Sequence, residues 1–476
     1  MKTLDTDVAI IGSGTAALNA LREVENAGGS WLLIESGPYG TMCARTGCMP
    51  SKLLIAAAEA SHTIDQATAF GIQVKDKIIN GASVFERVRA ERDRFAGFVV
   101  KSTEARPDKF RIHGHAKFVG PTSLQVDDHT IINAQSIVIA TGSSHFIPPP
   151  FDMIKDDVLI NDDVFELQEL PRTLAVIGTG IIGLELGQSL HRLGVKTTFF
   201  ARSDRLGALT DPVVQKNAQE ILIKELNFNF NSSITHAEKK SSSINLKWKD
   251  VQGGEHEQIF EKIVIATGRK STLPHLDLEA AGLNYEKVIR EWNPQTTQIG
   301  DLPIFIAGDA AGHRQILHEA SDDGRIAGKN AMRFPDTIAQ VRRIPLAITF
   351  TDPQMALVGK RYDELEPGKF EIGEISYGDQ GRARVMNQHR GMVRIYAERQ
   401  NCTLVGAELF APRAENLAHL LAWAVQQKMT VQQAVEMPVY HPVLEEGVRT
   451  ALRDVMSKLK LTGNCRSVDL AEAPGT

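Results

Sequence analysis

The same unit of sequence occurs twice in this chain. Each copy begins with a short apolar run, at residues 8–11 and again at residues 174–177, and continues directly into a glycine-rich turn and a helical pattern. A second apolar run follows, and in both copies it ends the same distance after the first glycine, at Glu35 and at Ala201. Strand, glycine turn, helix and strand in this order form a dinucleotide-binding βαβ unit. The repeat therefore predicts an α/β protein with two such domains.

The first glycine turn has the residues that a dinucleotide site needs. Gly12 allows the tight turn, Gly14 lets a pyrophosphate approach the amides at the start of the helix, and Ala17 takes the third, close-packed position, which tolerates alanine. Glu35 follows the second strand, where a carboxylate can accept a hydrogen bond from a ribose hydroxyl. We therefore predict that this unit binds a dinucleotide.

The second turn repeats the pattern with the glycines Gly178, Gly180 and Gly183. At the position that corresponds to Glu35 it offers Ala201, with Arg202 and Arg205 beside it and no acid to repel a 2′-phosphate. Guanidinium groups there favour a phosphorylated ribose, so the sequence favours NADP(H) over NAD(H). Two solvated arginines with no ligand are the alternative.

Two of the four cysteines, Cys43 and Cys48, lie close together in the sequence. A regular helix would hold their Cα atoms about 8.6 Å apart, whereas a disulfide requires roughly 4.4–6.8 Å. Pairing therefore requires the backbone to bend, which Gly47 allows. A bond that closes so short a loop stabilises the fold by only about 2 kcal/mol and would open easily. On spacing alone, a redox-active pair and two buried thiols that lie near each other are both open.

Three further apolar runs end where an open α/β sheet presents its crevice. They are followed by Thr141 and Gly142, by Gly268, and by Asp309. Because the carboxyl ends of the strands face the crevice, we expect Asp309 to contact a cofactor sugar chain. Capping of the next helix is the alternative role for this aspartate.

The last third of the chain, from residue 345, predicts an α+β domain with strands at 346–350, 391–398 and 404–410 and helices at 414–428 and 443–459. His441 lies in it directly before Pro442, which favours an extended His441 and suits the start of a helix at its own position. Glu446 follows within the next turn. An imidazole oriented by a carboxylate can transfer a proton to or from a thiol, although a lone His-Pro is more often structural.

Composition excludes several classes of partner. A net charge of −5 gives no electrostatic footprint for nucleic acid or an anionic membrane. No apolar stretch has the length of a membrane span, and the N-terminus lacks the apolar core of a signal peptide. Four cysteines in 476 residues are not a secreted disulfide framework, so we expect a cytoplasmic protein. We predict no metal site.

Residues 40–52 resemble the GGTCxNxGCxPSK signature of the class I pyridine nucleotide-disulfide oxidoreductases, with Arg45 in the Asn position. Residues 50–52 and 317–320 are closer to dihydrolipoamide dehydrogenase than to glutathione reductase. The resemblance covers nearly the whole chain. It implies two Rossmann-like domains, for FAD and NAD(P), and a C-terminal α+β dimerisation domain. The expected division is an FAD-binding part at 1–150, an NAD(P)-binding domain at 151–270, a return to the FAD/central domain at 271–343 and an interface domain at 344–476.

The resemblance also implies roles for individual residues. Cys48 matches the thiol against the flavin and Cys43 the thiol that exchanges with substrate, while His441 and Glu446 match an acid–base pair that the partner subunit of a homodimer contributes. Lys52 matches a lysine near the flavin, which is usually paired with the glutamate seen here as Glu185. The residues expected to bind FAD or the nicotinamide cofactor are Gly12, Gly14, Ala17, Glu35, Thr41, Lys52, Thr141, Gly142, Gly178, Gly180, Gly183, Glu185, Arg202, Arg205, Gly268 and Asp309.

The leading functional hypothesis is a dihydrolipoamide dehydrogenase acting on a small dithiol or a lipoyl domain. An NADPH-dependent reductase of another small disulfide, such as glutathione, is the nearest alternative, because lipoamide enzymes usually carry an acid where Ala201 stands. A flavin-binding redox sensor without turnover is the alternative of another class. Mercuric reduction is disfavoured because the sequence shows no N-terminal CxxC and Cys465 stands alone.

Overall fold

The computed structural model describes residues 1–461, and Cys465 lies outside them. Two short 3-10 helices, Gly308–Ala311 and Tyr377–Asp379, carry residues that are discussed below. The α-helices in chain order are α1 Thr15–Asn26, α2 Met42–Arg45, α3 Cys48–Gln66, α4 Gly81–Glu104, α5 Asn161–Val164, α6 Ile181–Arg192, α7 Pro212–Leu222, α8 Tyr285–Glu291, α9 Leu317–Ala331, α10 Gly381–Val385, α11 Ala414–Gln426, α12 Val431–Val435 and α13 Glu445–Leu461.

The strands lie in several separate sheets. In chain order they are β1 Lys2–Ile11, β2 Trp31–Glu35, β3 Arg111–His113, β4 Ala116–Gly120, β5 Ser123–Val126, β6 Thr130–Ile139, β7 Ser143–His145, β8 Thr173–Ile177, β9 Lys196–Phe200, β10 Asn227–Asn229, β11 Ser233–Lys240, β12 Ser243–Lys249, β13 Glu255–Phe260, β14 Lys262–Ile265, β15 Arg269–Ser271, β16 Ile304–Ile306, β17 Leu346–Thr349, β18 Gln354–Gly359, β19 Phe370–Ser376, β20 Met392–Glu398 and β21 Leu404–Ala411.

The chain forms two compact units. Among the described residues, the first comprises 1–53, 85–147 and 267–342, and the second comprises 54–84, 148–266 and 343–461. Each unit contains one of the two glycine turns. The four-part division expected from the sequence stays a prediction.

The first unit is built on a sheet in the order β3-β2-β1-β6-β5-β4, with β16 also paired to β6. Val8 and Ile10 of β1 pack into one core, whereas Ala9 and Ile11 pack into the other, so both faces of the sheet are buried. This explains why the last four residues of β1, at 8–11, are a continuous apolar run rather than an alternating one.

The carboxyl ends of four parallel strands coincide in this sheet. Ile11 is in register with Ile34 on one side and with Ile139 on the other, and Ile139 is in register with Ile306. The residues that follow these isoleucines therefore meet at one edge of the sheet, where such folds bind their ligands.

The second unit contains a parallel sheet in the order β10-β9-β8-β14, an antiparallel sheet β11-β12-β13, and a five-stranded antiparallel sheet β17-β18-β21-β20-β19. Helices α11 and α13 pack with the five-stranded sheet over one apolar core. The α/β fold class, with a C-terminal α+β part, is confirmed.

Two helix starts bear on the candidate site residues. Helix α3 begins at Cys48, which places this cysteine at the N-terminus of the helix. The prediction that a helix begins at Pro442 is wrong, because α13 begins at Glu445. The N–H of Val443 donates to the Glu446 carboxylate at 3.0 Å, and this side-chain contact organises the residues before the helix. Among the helices of residues 1–461, none combines the length and apolar character needed to cross a bilayer.

Candidate active site

The first glycine turn is sterically closed around Gly12 and open at Gly14. Gly12 has φ +107°, and a Cβ there would lie 2.4 Å from the carbonyl oxygen of Ala140, so only glycine fits. Gly14 is the N-cap of α1, has no side-chain cap, and would place a Cβ with no atom within 4 Å. The first amides of α1 therefore face open space that suits a phosphate. Ala17 is fully buried, as its packing role requires.

Glu35 is fixed at the end of β2 by the turn beside it. Its Oε2 accepts hydrogen bonds from the N–H and the hydroxyl of Ser13 at 2.8 and 2.7 Å, and its Oε1 accepts from the N–H of Gly37 at 2.8 Å. Sequence analysis missed Ser13, although its place between the two glycines is a usable signal. The carboxylate thus lies beside the glycine turn, where a ribose would be held.

The ends of β6 and β16 bring Asp309 to the same edge of the sheet. The hydroxyl of Ser143 donates to Asp309 Oδ2 at 2.8 Å. Asp309 does not cap α9, whose N-cap is Ile316. Gly142 has φ +74° and open space around its Cβ position. This arrangement favours the cofactor role over the capping role for Asp309.

Neighbouring side chains brace this edge. The hydroxyl of Thr272 donates to Thr141 Oγ1 at 2.8 Å. The Nε of Arg269 donates to Ser143 Oγ at 2.8 Å, and the carbonyl of Gly268 accepts from the N–H of Phe146 at 3.1 Å. Ser143, Arg269 and Thr272 were not singled out from the sequence, because each acts through a long-range contact that local pattern does not encode.

The cysteine pair lies at a break between two helices. Thr41 is the N-cap of α2, where its hydroxyl accepts from the N–H of Ala44 at 3.3 Å, and α3 begins at Cys48. A Cβ on Gly47 would lie 3.2 Å from the Cα of Cys43. Gly47 thus allows the close approach of the two segments, as the sequence predicts that the backbone must bend here.

The two sulfurs interact with each other. They are thiols, not a disulfide, in this structure. A hydrogen bond to the Cys48 side chain, together with burial, raises the pKa of the Cys43 thiol, and the charge of Lys52 opposes this shift. The positive end of the α3 dipole favours negative charge on the Cys48 sulfur. The pair is therefore asymmetric, with Cys43 retaining its proton.

The solvent exposure of Cys43 and Cys48 does not show which of them faces the flavin and which exchanges with substrate. Cys43 is partly buried and Cys48 is exposed. The assignment of Cys48 to the flavin and of Cys43 to substrate exchange stays a prediction.

The residues of the first unit fit FAD. An open helix N-terminus suits the pyrophosphate, Glu35 suits the ribose, and Asp309 suits the sugar chain. The strand register described above brings Gly12, Glu35, Thr141 and the segment of Asp309 to one edge.

The second glycine turn repeats the geometry of the first. Gly178 has φ +111°, and Gly180 is the N-cap of α6 with no side-chain cap and no atom within 4 Å of its Cβ position. A Cβ on Gly183 would lie 2.2 Å from the carbonyl oxygen of Gly178, so the third glycine is required for packing. The hydroxyl of Thr179 donates to the carbonyl of Arg205 at 2.7 Å. This bond joins the turn to the segment that follows β9.

That segment carries the residues that bear on nucleotide choice. Ala201 is buried, whereas Arg202 and Arg205 are exposed. Within residues 1–461 neither arginine side chain forms an ion pair. Glu185 is 4% exposed and accepts from the N–H of Phe350 at 3.0 Å. Its pairing with Lys52 stays a prediction.

His441 and Glu446 form a hydrogen-bonded pair. The Nδ1 of His441 lies 2.9 Å from Glu446 Oε1, and the imidazole is 81% exposed. The bond to His441 is the main cause that lowers the pKa of Glu446, with a smaller contribution from the Val443 N–H. The carboxylate is therefore charged at neutral pH, and the pair persists until the pH falls below the usual glutamate range.

Two further side chains hold the segment that carries His441. The hydroxyl of Tyr377 donates to the carbonyl of Leu444 at 2.9 Å, and the Nε2 of Gln380 donates to the carbonyl of Val443 at 2.8 Å. Burial raises the pKa of Tyr377, which keeps its donor proton. A Cβ on Gly447 would lie 2.6 Å from the Tyr377 oxygen, so this glycine makes room for the tyrosine. No sequence pattern identified either residue.

Removal of the Glu446 charge should slow turnover without unfolding the protein. In Glu446→Gln the imidazole loses the carboxylate that orients it, and we expect kcat to fall by at least about tenfold, since general acid–base catalysis contributes roughly 10²–10⁴. Steady-state rates measure this. Glu436→Gln, an exposed glutamate of the same domain, is the control. An unchanged kcat in Glu446→Gln would contradict the role of the pair.

The chain thus contains two glycine turns of the dinucleotide-binding type and a pair of neighbouring thiols, features that are typical of a disulfide oxidoreductase. The chain belongs to the pyridine nucleotide-disulphide oxidoreductase family: residues 6–324 match the family, and residues 345–452 match its dimerisation domain. Members are FAD-containing enzymes. The protein is therefore an FAD-dependent disulfide oxidoreductase of class I that binds a pyridine nucleotide and forms a homodimer.

Relatives with different activities align over most of the chain. A mercuric reductase from Staphylococcus aureus is 28% identical over 463 residues, which cover 94% of this chain and 82% of the relative. A dihydrolipoyl dehydrogenase from Halobacterium salinarum is 27% identical over 455 residues, covering 94% and 95%. The structure of the HOCl-induced flavoprotein disulfide reductase RclA from Escherichia coli shares the fold with a TM-score of 0.79 at 20% identity, covering 95% of this chain and 99% of that chain.

Proposed function

We propose that the protein is a dihydrolipoamide dehydrogenase, which oxidises a small dithiol or the dithiol of a lipoyl domain and reduces NAD(P)⁺. The observation that carries this proposal is the interacting pair of Cys43 and Cys48 at the helix break. The similarity to the dihydrolipoyl dehydrogenase of Halobacterium salinarum supports it. We further propose that the enzyme works in the reducing cytoplasm, since only four cysteines occur in 476 residues.

The thiol chemistry is balanced by exchange among four sulfurs, two of the substrate and those of Cys43 and Cys48. His441 of the partner subunit takes the proton of a substrate thiol, and the thiolate attacks Cys43 of the Cys43–Cys48 disulfide, which releases the Cys48 thiolate. The second substrate thiol then attacks the substrate sulfur of the mixed disulfide, and Cys43 leaves and takes up the proton of that thiol, so that the substrate leaves as a disulfide and the cysteine pair is left reduced. Bound FAD would supply the two-electron transfer that joins this pair to the nicotinamide.

The chain's residues would hold the two cofactors as follows. In the first unit, Gly14, Glu35 and Asp309 would bind the pyrophosphate and sugar groups of FAD. In the second unit, Gly180 at the start of α6 would bind the pyrophosphate of the nicotinamide cofactor.

A rate matrix tests this function. Initial rates are measured with lipoamide and with glutathione disulfide, each against NADH and NADPH, and in the reverse direction with dihydrolipoamide and NAD(P)⁺. We expect turnover of lipoamide and dihydrolipoamide, and we expect the rates with glutathione disulfide to be the slowest. Failure with every pair would remove the proposal.

An NADPH-dependent reductase of another small disulfide is the second candidate, and the segment after β9 favours it. Ala201 leaves that position without a carboxylate, while the exposed side chains of Arg202 and Arg205 can meet a 2′-phosphate. Preference for NADP(H) is thus a proposal shared by both candidates.

The nucleotide preference can be tested by double substitution. Arg202→Ala with Arg205→Ala should raise KM for the phosphorylated nucleotide by about tenfold or more, because each guanidinium can form charge-assisted hydrogen bonds to the phosphate. KM for the non-phosphorylated nucleotide should change little. The exposed Arg172 supplies a control, Arg172→Ala. Equal effects on both nucleotides would defeat the assignment.

A further inference from the structure

A pocket lies directly beside the segment that carries His441. It has a volume of about 200 Å³ and is formed by α10, the start of α11 and the residues before α13. Its walls combine apolar and charged side chains, among them Arg382, Met386, Arg413, Leu417, Leu444 and Glu445.

The charges that line the pocket are predominantly positive. Within residues 1–461, neither Arg382 nor Arg413 forms an ion pair, whereas Arg384 on the same helix pairs with Asp379 at 3.2 Å. Glu445 supplies one carboxylate against the two guanidiniums. The starts of α11 and α13 add the positive ends of their dipoles. A negatively charged group is therefore favoured inside the pocket.

The pocket is coupled to the candidate acid–base pair by the backbone. Val443 and Leu444 line it, and their carbonyls are the ones that Gln380 and Tyr377 hold. His441 lies two residues before Val443, and two residues of extended chain span at most about 7 Å. The pocket therefore adjoins the backbone segment that carries the imidazole.

We propose that this pocket binds a carboxylate of a small disulfide or dithiol substrate, so that among small substrates the enzyme favours those with an acidic end over those with an amide. This inference rests on the proposed function and names the substrate class. Guanidinium groups match the planar geometry of a carboxylate and can bind it bidentately. The volume is below the roughly 300–1,000 Å³ of pockets that enclose a whole drug-sized ligand. It suits one end of a substrate, with Met386 and Leu417 against the adjoining methylenes.

Dihydrolipoate and dihydrolipoamide form a matched pair for the test, since they share the dithiol and differ in the carboxylate. We expect kcat/KM to be about tenfold higher for the acid, as a charge-assisted hydrogen bond supports. In Arg382→Gln with Arg413→Gln, the ratio of the two values should fall to about one. Arg384→Gln, which changes an arginine of the same helix that already has a partner, should keep the ratio of the native enzyme.

Several results would overturn the inference while leaving the proposed function intact. These are equal kcat/KM values for acid and amide in the native enzyme, a ratio unaltered in the double variant, and a double variant that is monomeric, which would assign the pocket to the contact with the second copy. Calorimetric titration of the holoenzyme with lipoate needs no turnover. Binding that the double variant loses supports the pocket, and absence of heat in the native enzyme overturns it. Turnover of neither dithiol would instead count against the proposed function.

Discussion

Serine in place of Cys48 is expected to abolish disulfide turnover, with kcat reduced by more than about 10³. The reaction passes through thiolate exchange, and an alcohol of high pKa cannot replace the sulfur that leaves and accepts electrons. Cys43→Ser should have a loss of the same order, because exchange requires both members of the pair. Initial rates with dihydrolipoamide measure the effect in each variant.

The controls separate chemistry from folding. Cys402→Ser changes a disulfide-bonded cysteine of the other unit, outside the exchanging pair, and should not approach this loss in kcat. FAD content and the thermal unfolding midpoint should stay near the native values in Cys48→Ser, since Cys48 is an exposed residue and serine is close to it in size. A Cys48→Ser enzyme that still turned over dithiols at a tenth of the native rate would rule out the pair as the redox centre.

Loss of the buried Glu408 carboxylate is expected to destabilise the protein by roughly 3–5 kcal/mol. Glu408 is fully buried and accepts hydrogen bonds from the backbone N–H groups of Thr210, Asp211 and Tyr362 at 2.7, 2.9 and 3.1 Å. Glu408→Ala would leave these donors buried without an acceptor, and each such group costs about 1–3 kcal/mol. Chemical denaturation measures the change.

A second buried carboxylate in this region, that of Asp211, also has hydrogen-bonding partners, so it cannot serve as the control for Glu408. It is fully buried and binds the Arg394 guanidinium and the Tyr396 hydroxyl, the latter at 2.8 Å.

The control is Glu366→Ala, which removes a carboxylate in a solvent-exposed pair with Lys369. It should give no measurable change in the free energy of unfolding. An equally small change in Glu408→Ala would show that water or rearrangement satisfies the donors.

Local sequence predicts the parts of the site that backbone geometry imposes. Gly12 and Gly178 are required by positive φ, and the carboxylate after β2 is required at a fixed offset, so these features can be recognised in a short window. The break between α2 and α3 lies where the sequence requires a bend if the two cysteines are to pair, because a regular helix holds their Cα atoms too far apart. The fold class and the family could be predicted because they too depend on motifs that short stretches of sequence contain.

Contacts between segments that are distant in the sequence could not be predicted from local patterns. Tyr377 and Gln380 reach the His441 segment from a different part of the chain, and the pocket arginines come from α10 and from the residue before α11. The start of α13 was misplaced because a side-chain hydrogen bond of Glu446, rather than the fixed φ of Pro442, organises the preceding residues. Strand β18 was missed because it is a short apolar run, which periodicity cannot distinguish from a buried helix.

Gly447 shows what the site demands of its scaffold. A glycine inside a helix costs about 1 kcal/mol relative to alanine, yet the smallest larger side chain at this position would collide with the Tyr377 ring. The fold thus gives up local rigidity in the first turn of its longest C-terminal helix so that an aromatic hydroxyl can reach the carbonyl of Leu444. The stability of α13 is therefore reduced at a position where glycine allows the segment that carries the imidazole to be held in place.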